Sequence, residues 1–551
     1  MNSPDVAIEP DIHPDAETSY KALRRAIQRG VGFSLLFVRC TPVKGEEIVE
    51  RIKDDLPQKR IEVLNLDANT ENLYHLVENL TEEQSFDVLF IRGLEESLFQ
   101  YEDREQLGIL DRSKGTGYGG NWESIPRILG HLNLSRERFR DNFKLCFVFL
   151  LPDFALNYFI RRAPDFFDWR SNVYEFPTER ELVSRESYHL AYLDGSYQEY
   201  CEQLPEQRIA KLAKIKSYLE EDLDYKERSS LWYEKGLIHA AANEYEEAIN
   251  SYDYALSIRS DYPEACNSRG NALVNLGRYQ EAIRAYDRAL AINSDYNEAW
   301  QNRGIALANL GKNEKAIISY DRALAISPKD HKVLYSRGNA LFNLGRHEES
   351  IIFYDKALDI KTDNHQIWNN RGNALFHLGR YEEAIESYNK ALEIKPNDYK
   401  VLCDRSNTLL NLGRYEEAVE SYDKALEIKP DDYKILFKQG VLLRNLGRYE
   451  EAIEFFDKAL EIKPDDQETW YNRVITLGIS GRYEETSKAY NQFKDIKTND
   501  NYYLNHLQFI LGTSEGELAA YGKDEFFWRL TMLREFRERD YILRTRVRRR
   551  T

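Results

Sequence analysis

Residues 297–330 read NEAWQNRGIALANLGKNEKAIISYDRALAISPKD, and the stretches on either side repeat the same pattern. The midpoint glycine, Gly311, belongs to a series of Gly277, Gly345, Gly379, Gly413, Gly447 and Gly481 at a constant spacing of 34. Small residues keep step at Gly236, Gly270, Gly304, Gly338, Gly372 and Gly440, and so do alanines such as Ala282, Ala316, Ala384, Ala418 and Ala452. An aromatic recurs at Tyr252, Tyr286, Tyr320, Tyr354, Tyr388, Tyr422, Phe456 and Tyr490. A fixed period of this length means stacked supersecondary units. Each unit reads as two antiparallel helices. Leucine-glycine ends the first helix with a residue that tolerates a left-handed turn. Small residues at fixed heights let backbones approach, and the aromatic fills the space between them. Proline (Pro328, Pro396, Pro430, Pro464) stops the second helix, because it cannot donate the next hydrogen bond.

With Trp300, Gly304, Ala316, Tyr320, Ala323 and Pro328 in place, this unit resembles the tetratricopeptide repeat. Eight such units fit residues 229–500. The first carries Asn243 at the turn glycine, and the last has Val474, Thr486 and Phe493 at small positions, as capping repeats would. Residues 501–551 are expected to add capping helices that end in the basic tail RTRVRRR (Arg544–Arg550). The resemblance implies an all-α solenoid that binds an extended or helical peptide in a concave groove lined by the first helices.

Residues four apart share a helix face, so Asn267 and Asn271, Asn369 and Asn373, and likewise Asn339 and Asn407, are expected to form polar stripes on that groove. Asparagine is a poor residue for a helix interior, and its amide both donates and accepts, which suits the backbone of an extended peptide. A second reading applies to Asn275, Asn309, Asn343, Asn411 and Asn445, just before the turn: they satisfy loose carbonyls at a helix end. The recurrent arginines Arg269, Arg303, Arg337, Arg371, Arg405 and Arg473 are expected to form an internal salt-bridge network with the glutamate pairs of the following helices.

The chain has 551 residues, 76 Lys+Arg against 93 Asp+Glu, and a net charge of -17. Residues 1–228 carry 30 basic and 42 acidic side chains, residues 229–500 carry 36 and 44, and residues 501–551 carry 10 and 7. Net acidity disfavours nucleic acid, which needs a continuous cationic surface. No apolar run approaches the ~20 residues of a membrane helix. The acidic start lacks signal architecture, and five widely spaced cysteines without a C-x-x-C pair fit a reducing, cytoplasmic location.

Ahead of the repeats, a flexible acidic stretch (1–20) precedes an α/β region (21–200) and a linking helix (201–228). Apolar runs at 33–39, 60–66, 87–94, 145–151 and 172–176 alternate with amphipathic segments, which implies a mostly parallel sheet covered on both faces. This order resembles a P-loop NTPase core of the signal-transducing type, with a degenerate phosphate loop. Where G-x-x-x-x-G-K-[ST] belongs, the chain has CTPVKGEE: Cys40 for the first glycine, Gly45 for the second, Glu46 for the lysine and Glu47 for the hydroxyl, with Lys44 one position early. Two carboxylates there would repel a phosphate by about 4 kcal/mol per charge pair at about 4 Å and an effective dielectric of about 20. Neither Cys146 with His75 as a protease pair nor any histidine cluster for a metal has the right setting, and the glycine-rich GTGYGGN (115–121) reads as a connection. The expectation is a scaffold with a protein or peptide partner and no catalytic residue, cofactor or metal. Its α/β region is an inactive NTPase-like docking or regulatory module. The alternative is a nucleotide-controlled switch that uses Lys44.

Overall fold

The structure, a computed structural model, describes residues 15–106, 126–192 and 196–494, and the single residues 496, 503 and 507. The chain divides into two compact units, 1–306 and 307–551. The stretch 115–121 lies outside the described residues, as does 501–551 apart from Tyr503 and Leu507.

The first unit opens with α1 (Ala16–Arg29), β1 (Ser34–Arg39), α2 (Pro42–Asp55), β2 (Ile61–Asn65), α3 (Leu73–Glu83), β3 (Val88–Arg92) and α4 (Leu94–Gln106). It continues with α5 (Arg127–Asn142), β4 (Cys146–Leu151), α6 (Asp153–Arg162), α7 (Pro164–Phe167) and β5 (Asn172–Glu175). The strands form one sheet in the order β2-β3-β4-β1-β5, with every pairing parallel. Successive side chains of a strand point to opposite faces, and both faces here are covered. Leu35, Phe37, Leu89, Ile91, Phe147 and Phe149 therefore join one core, with residues of α3 and α5–α7. Leu36, Val38, Val88, Phe90, Val148 and Leu150 join the other, under α1 and α2. Burial on both sides is why these strands read as unbroken apolar runs.

Three helices follow, α8 (Arg180–Tyr192), α9 (Tyr197–Glu202) and α10 (Pro205–Leu219), and then α11 (Tyr225–Ala241), the first helix of the repeats. Residues 201–228 do more than link. Leu212, Ile215 and Tyr218 of α10, and Leu231 and Ile238 of α11, are buried in the same core as Phe37 and Phe149. The array thus starts on the flank of the α/β region.

α11 pairs with α12 (Tyr245–Ile258) and α13 (Pro263–Asn275) with α14 (Tyr279–Ile292), followed by α15 (Asn297–Asn309), within whose residues the division of the chain falls. The second unit contains α16 (Asn313–Ile326) and five pairs: α17 (His331–Asn343) with α18 (His347–Ile360), α19 (His365–His377) with α20 (Tyr381–Ile394), α21 (Tyr399–Asn411) with α22 (Tyr415–Ile428), α23 (Tyr433–Asn445) with α24 (Tyr449–Ile462), and α25 (Gln467–Ile479) with α26 (Tyr483–Lys494). The spaced glycines sit in the turns at φ of 72° to 83°, and Asn243 takes the same left-handed conformation at 64°. Asp330, Asn364, Asp398, Asp432 and Asp466 cap the following first helices by accepting from backbone N–H groups. Leu507 is buried with Val474 and Phe493 of the last pair, and the Tyr503 ring lies 5.1 Å from that of Tyr471.

Candidate functional site

The chemistry of the array begins where two helices of one pair touch. A Cβ placed on Gly372 would lie 2.6 Å from the ring of Tyr388, and Gly270, Gly338 and Gly440 stand equally close to Tyr286, Tyr354 and Phe456. The glycine admits the ring, and burial of the ring leaves its hydroxyl in need of a partner. Position 9 of the unit supplies one. The hydroxyls of Tyr286, Tyr354, Tyr388 and Tyr422 donate to Oδ1 of Asn271, Asn339, Asn373 and Asn407 at 2.8, 2.8, 2.7 and 2.7 Å. Models of the tetratricopeptide repeat match residues 236–277, 267–331, 338–379, 365–398 and 403–467.

These are tetratricopeptide repeats.

Among solved structures, the chain is similar to MamA (24% identity, over 29% of this chain and 94% of that one, TM-score 0.29). It is also similar to YrrB, described as a TPR protein with an unusual peptide-binding site (20%, 34% and 97%, TM-score 0.31). A third is the C-terminal part of a TPR repeat-containing protein from Cytophaga hutchinsonii (19%, 43% and 97%, TM-score 0.39). No curated protein matches the chain.

Most of the asparagines read as groove residues make hydrogen bonds within the array. Asn267 is 2% exposed: its Nδ2 donates to Glu298 (3.1 Å) and Tyr296, and its Oδ1 accepts from Asn302 at 3.2 Å. Nothing of that amide is left for a partner. Asn271 and Asn339 hold their tyrosines and also accept from the next repeat, from Asn302 and Asn370 at 3.0 Å. Asn373 hydrogen-bonds Asp404, and Asn407 lies 3.5 Å from Lys438 Nζ. These amides tie helix to helix and repeat to repeat. Asn369 differs: its Oδ1 is buried with no hydrogen-bond partner among the described residues. At the turns, Asn275 and Asn411 donate to the carbonyls of Asn271 and Asn407, which is the helix-end role.

The sequence carried a signal for the tyrosine clamp that spacing alone does not reveal. Where position 9 is Val441, the aromatic is Phe456, which has no hydroxyl to satisfy. Where it is Leu237 or Ile305, that acceptor is missing, and the next repeat carries a serine, Ser268 or Ser336, where Asn302 and Asn370 stand in other units. The recurrent arginines do form internal ion pairs, but with an aspartate of the preceding helix rather than with the glutamate pairs. Arg269, Arg303, Arg337 and Arg371 meet Asp253, Asp287, Asp321 and Asp355 at 2.6–2.7 Å, and Arg473 meets Asp457. The glutamates pair instead with the turn arginines, as Glu383 does with Arg380 at 2.5 Å.

On the first helices of the second unit, α21 and α23 enclose a shallow pocket lined by Tyr399, Lys400, Cys403, Asp404, Lys434 and Lys438. Burial pushes the Asp404 carboxyl up to about 6, against the pull of Lys438.

The α/β region departs from a phosphate-binding design in its backbone. β1 ends at Arg39 and α2 begins at Pro42, with Thr41 as its cap, so CTPVKGEE is mostly helix and no loop remains to cradle phosphates. Gly45 is buried in α2, where a Cβ would meet Leu150 at 3.2 Å and Cys40 at 3.4 Å: its role is close packing. Lys44 is held by Glu47 at 2.8 Å, and Glu46 by Arg92 at 2.8 Å. Cys40 is buried, and its thiol is pushed up by that burial. Cys146 is buried within β4, while His75 is exposed on α3 beside Glu78. Among the described residues no three metal-ligating side chains come together, and no helix is long and apolar enough to cross a membrane.

Proposed function

We propose that the protein is a non-enzymatic interaction scaffold whose tetratricopeptide array binds an extended or helical segment of a protein partner along the first helices. The α/β region acts as a second docking or regulatory module. The observation that carries this reading is the amide of Asn369, whose buried acceptor has no hydrogen-bond partner among the described residues, on the face where neighbouring asparagines are consumed internally. An unmet buried acceptor costs free energy that a partner's N–H recovers. The pocket around Asp404 and Lys438, on the next two first helices, supplies charge for the same segment. Five free cysteines agree with a reducing, cytoplasmic setting.

The test is quantitative partner recovery by the full chain carrying Asn369→Ala with Lys438→Glu, against Lys390→Ala on the exposed side of α20 as control. The groove variant should lose about tenfold or more in recovery while its melting is unchanged. Equal recovery from both variants would remove the groove from the proposal. The nucleotide-switch reading is disfavoured by the helical CTPVKGEE and the Lys44–Glu47 pair. Calorimetry with ATP or GTP and magnesium should show no saturable heat, and micromolar binding abolished by Lys44→Ala would restore that reading.

A further inference from the structure

In an open parallel sheet, ligands settle outside the carboxyl ends of the strands where the strand order reverses, and β1, between β4 and β5, marks that place here. A cleft opens there, and its chemistry is acidic: Glu46, Glu95 and Glu96 line it with one cation, Arg92. Arg92 is already committed, to Asn65 and to Glu46. Gly93 makes the turn from β3 into α4 at φ 86°, with a Cβ position only 2.1 Å from the carbonyl oxygen of Leu66, so no other residue fits that turn. This turn, with the Ser97 hydroxyl donating to the carbonyl of Asp67 at 2.9 Å, fixes the start of α4 at the edge of the cleft.

Glu95 is 9% exposed. Its carboxylate accepts from the backbone N–H groups of Gly93 and Glu95, yet Oε2 is buried with no hydrogen-bond partner among the described residues. A buried carboxylate oxygen without a donor is a strongly unfavourable arrangement, which a cation or donor in the cleft relieves. Glu96, half buried beside it, adds a second charge, and Cys40, Leu66, Leu150 and Pro152 provide apolar walls. We propose that this cleft binds a basic organic group, an alkylammonium or a guanidinium, with the charged head on Glu95 and Glu96 and the aliphatic stem along Leu66, Leu150 and Pro152. Long basic side chains pack in this manner, with apolar stem and charged tip each satisfied. The same carboxylates disfavour a phosphate, and among the described residues no third ligating side chain converges with them to complete a metal site. The inference rests on reading the α/β region as a docking module, and it specifies the chemistry that module recognises. The group belongs either to a free amine or to a lysine or arginine side chain of a partner.

Calorimetry on the full chain at pH 8 tests this with agmatine, putrescine and the capped peptides Ac-Gly-Arg-Gly-NH2 and Ac-Gly-Lys-Gly-NH2, with magnesium chloride and ATP–magnesium as comparators. Saturable binding of at least one basic probe is expected, weakened by about tenfold or more in Glu95→Gln. Preference for agmatine or putrescine identifies a free amine, and preference for the peptides identifies a partner side chain. Glu95→Gln removes a buried charge, so its melting should equal or exceed that of the parent, and loss of binding is then not loss of fold. The proposal is overturned if no basic probe saturates, if Glu95→Gln binds them as the parent does, or if magnesium is bound instead and lost in the variant. Absence of amine binding together with absence of nucleotide binding defeats this inference alone, whereas ATP–magnesium binding defeats the docking-module reading beneath it.

Discussion

Asn407 shows how a side chain with the credentials of a ligand contact is spent inside the protein. Its Oδ1 holds the hydroxyl of the fully buried Tyr422 at 2.7 Å. Removing the acceptor strands the hydroxyl, and removing both should be nearly neutral, because an apolar pair of similar shape has no unmet donor. Asn407→Ala is therefore expected to cost about 1–3 kcal/mol in urea unfolding, and Tyr422→Phe added to it should recover much of that loss. The protein already contains the double replacement as Val441 with Phe456. If Asn407→Ala costs nothing, the clamp is ornamental and the asparagine is free for a partner. Stripping Asn271, Asn339, Asn373 and Asn407 together would consequently test stability more than binding, which is why Asn369 is the better probe of the proposed groove. That every asparagine at this position meets a tyrosine, and that the one phenylalanine meets a valine, was legible in the sequence. The direction in which each amide points was not, since it depends on where the next helix lies.

Between elements, the recurrent contact is the arginine of one first helix with the aspartate of the second helix before it. The array tests its own tolerance here: Arg405 faces Asn389 at 2.8 Å, and Gln439 replaces the arginine and donates to Asp423 at 2.9 Å. The aspartates are about half exposed, 47% for Asp355, so these rungs contribute little net free energy after solvent screening. Arg371→Gln should lower stability by no more than about 1 kcal/mol, and 0.5 M salt should shrink the difference further. A loss several times larger in denaturant titration would show that the rungs act as one cooperative network. The pairing partner was misassigned from sequence because glutamates outnumber aspartates in the following helices. Spacing of 16 residues back to the aspartate is set by how two helices cross, which composition does not report. The same lesson applies to α2. CTPVKGEE occupies the place of a loop motif and keeps its second glycine, Gly45, but Pro42 at the first turn and Thr41 as cap start a helix there.

At the scale of the chain, buried carboxyls link stability to pH in both units. Burial raises Glu95 and Glu96 to about 7 in the first unit and Asp404 to about 6 in the second. Their folded values lie above the ordinary carboxyl range, so from about pH 4 upward the native state binds more protons than the unfolded state. Stability therefore falls as pH rises towards 7, and this contribution is complete below about pH 4. Melting of the first unit should decline from pH 5 to pH 8, and Glu95→Gln should flatten that decline, matching the parent at low pH and exceeding it at pH 8. An unchanged slope in the variant would mean that Glu95 is already neutralised by another group. The sequence by itself determined the period, the two helices per unit, the turn glycines and the parallel α/β region, because each follows from local backbone preference and from the spacing of apolar residues. Only the tertiary structure decided which polar groups are used up and which are left over. Asn267 is consumed and Lys44 is paired, while among the described residues Asn369 Oδ1 and Glu95 Oε2 are buried without a hydrogen-bond partner. Those outcomes depend on distances between segments far apart in the chain, where a difference of about an ångström separates a hydrogen bond from an unmet one.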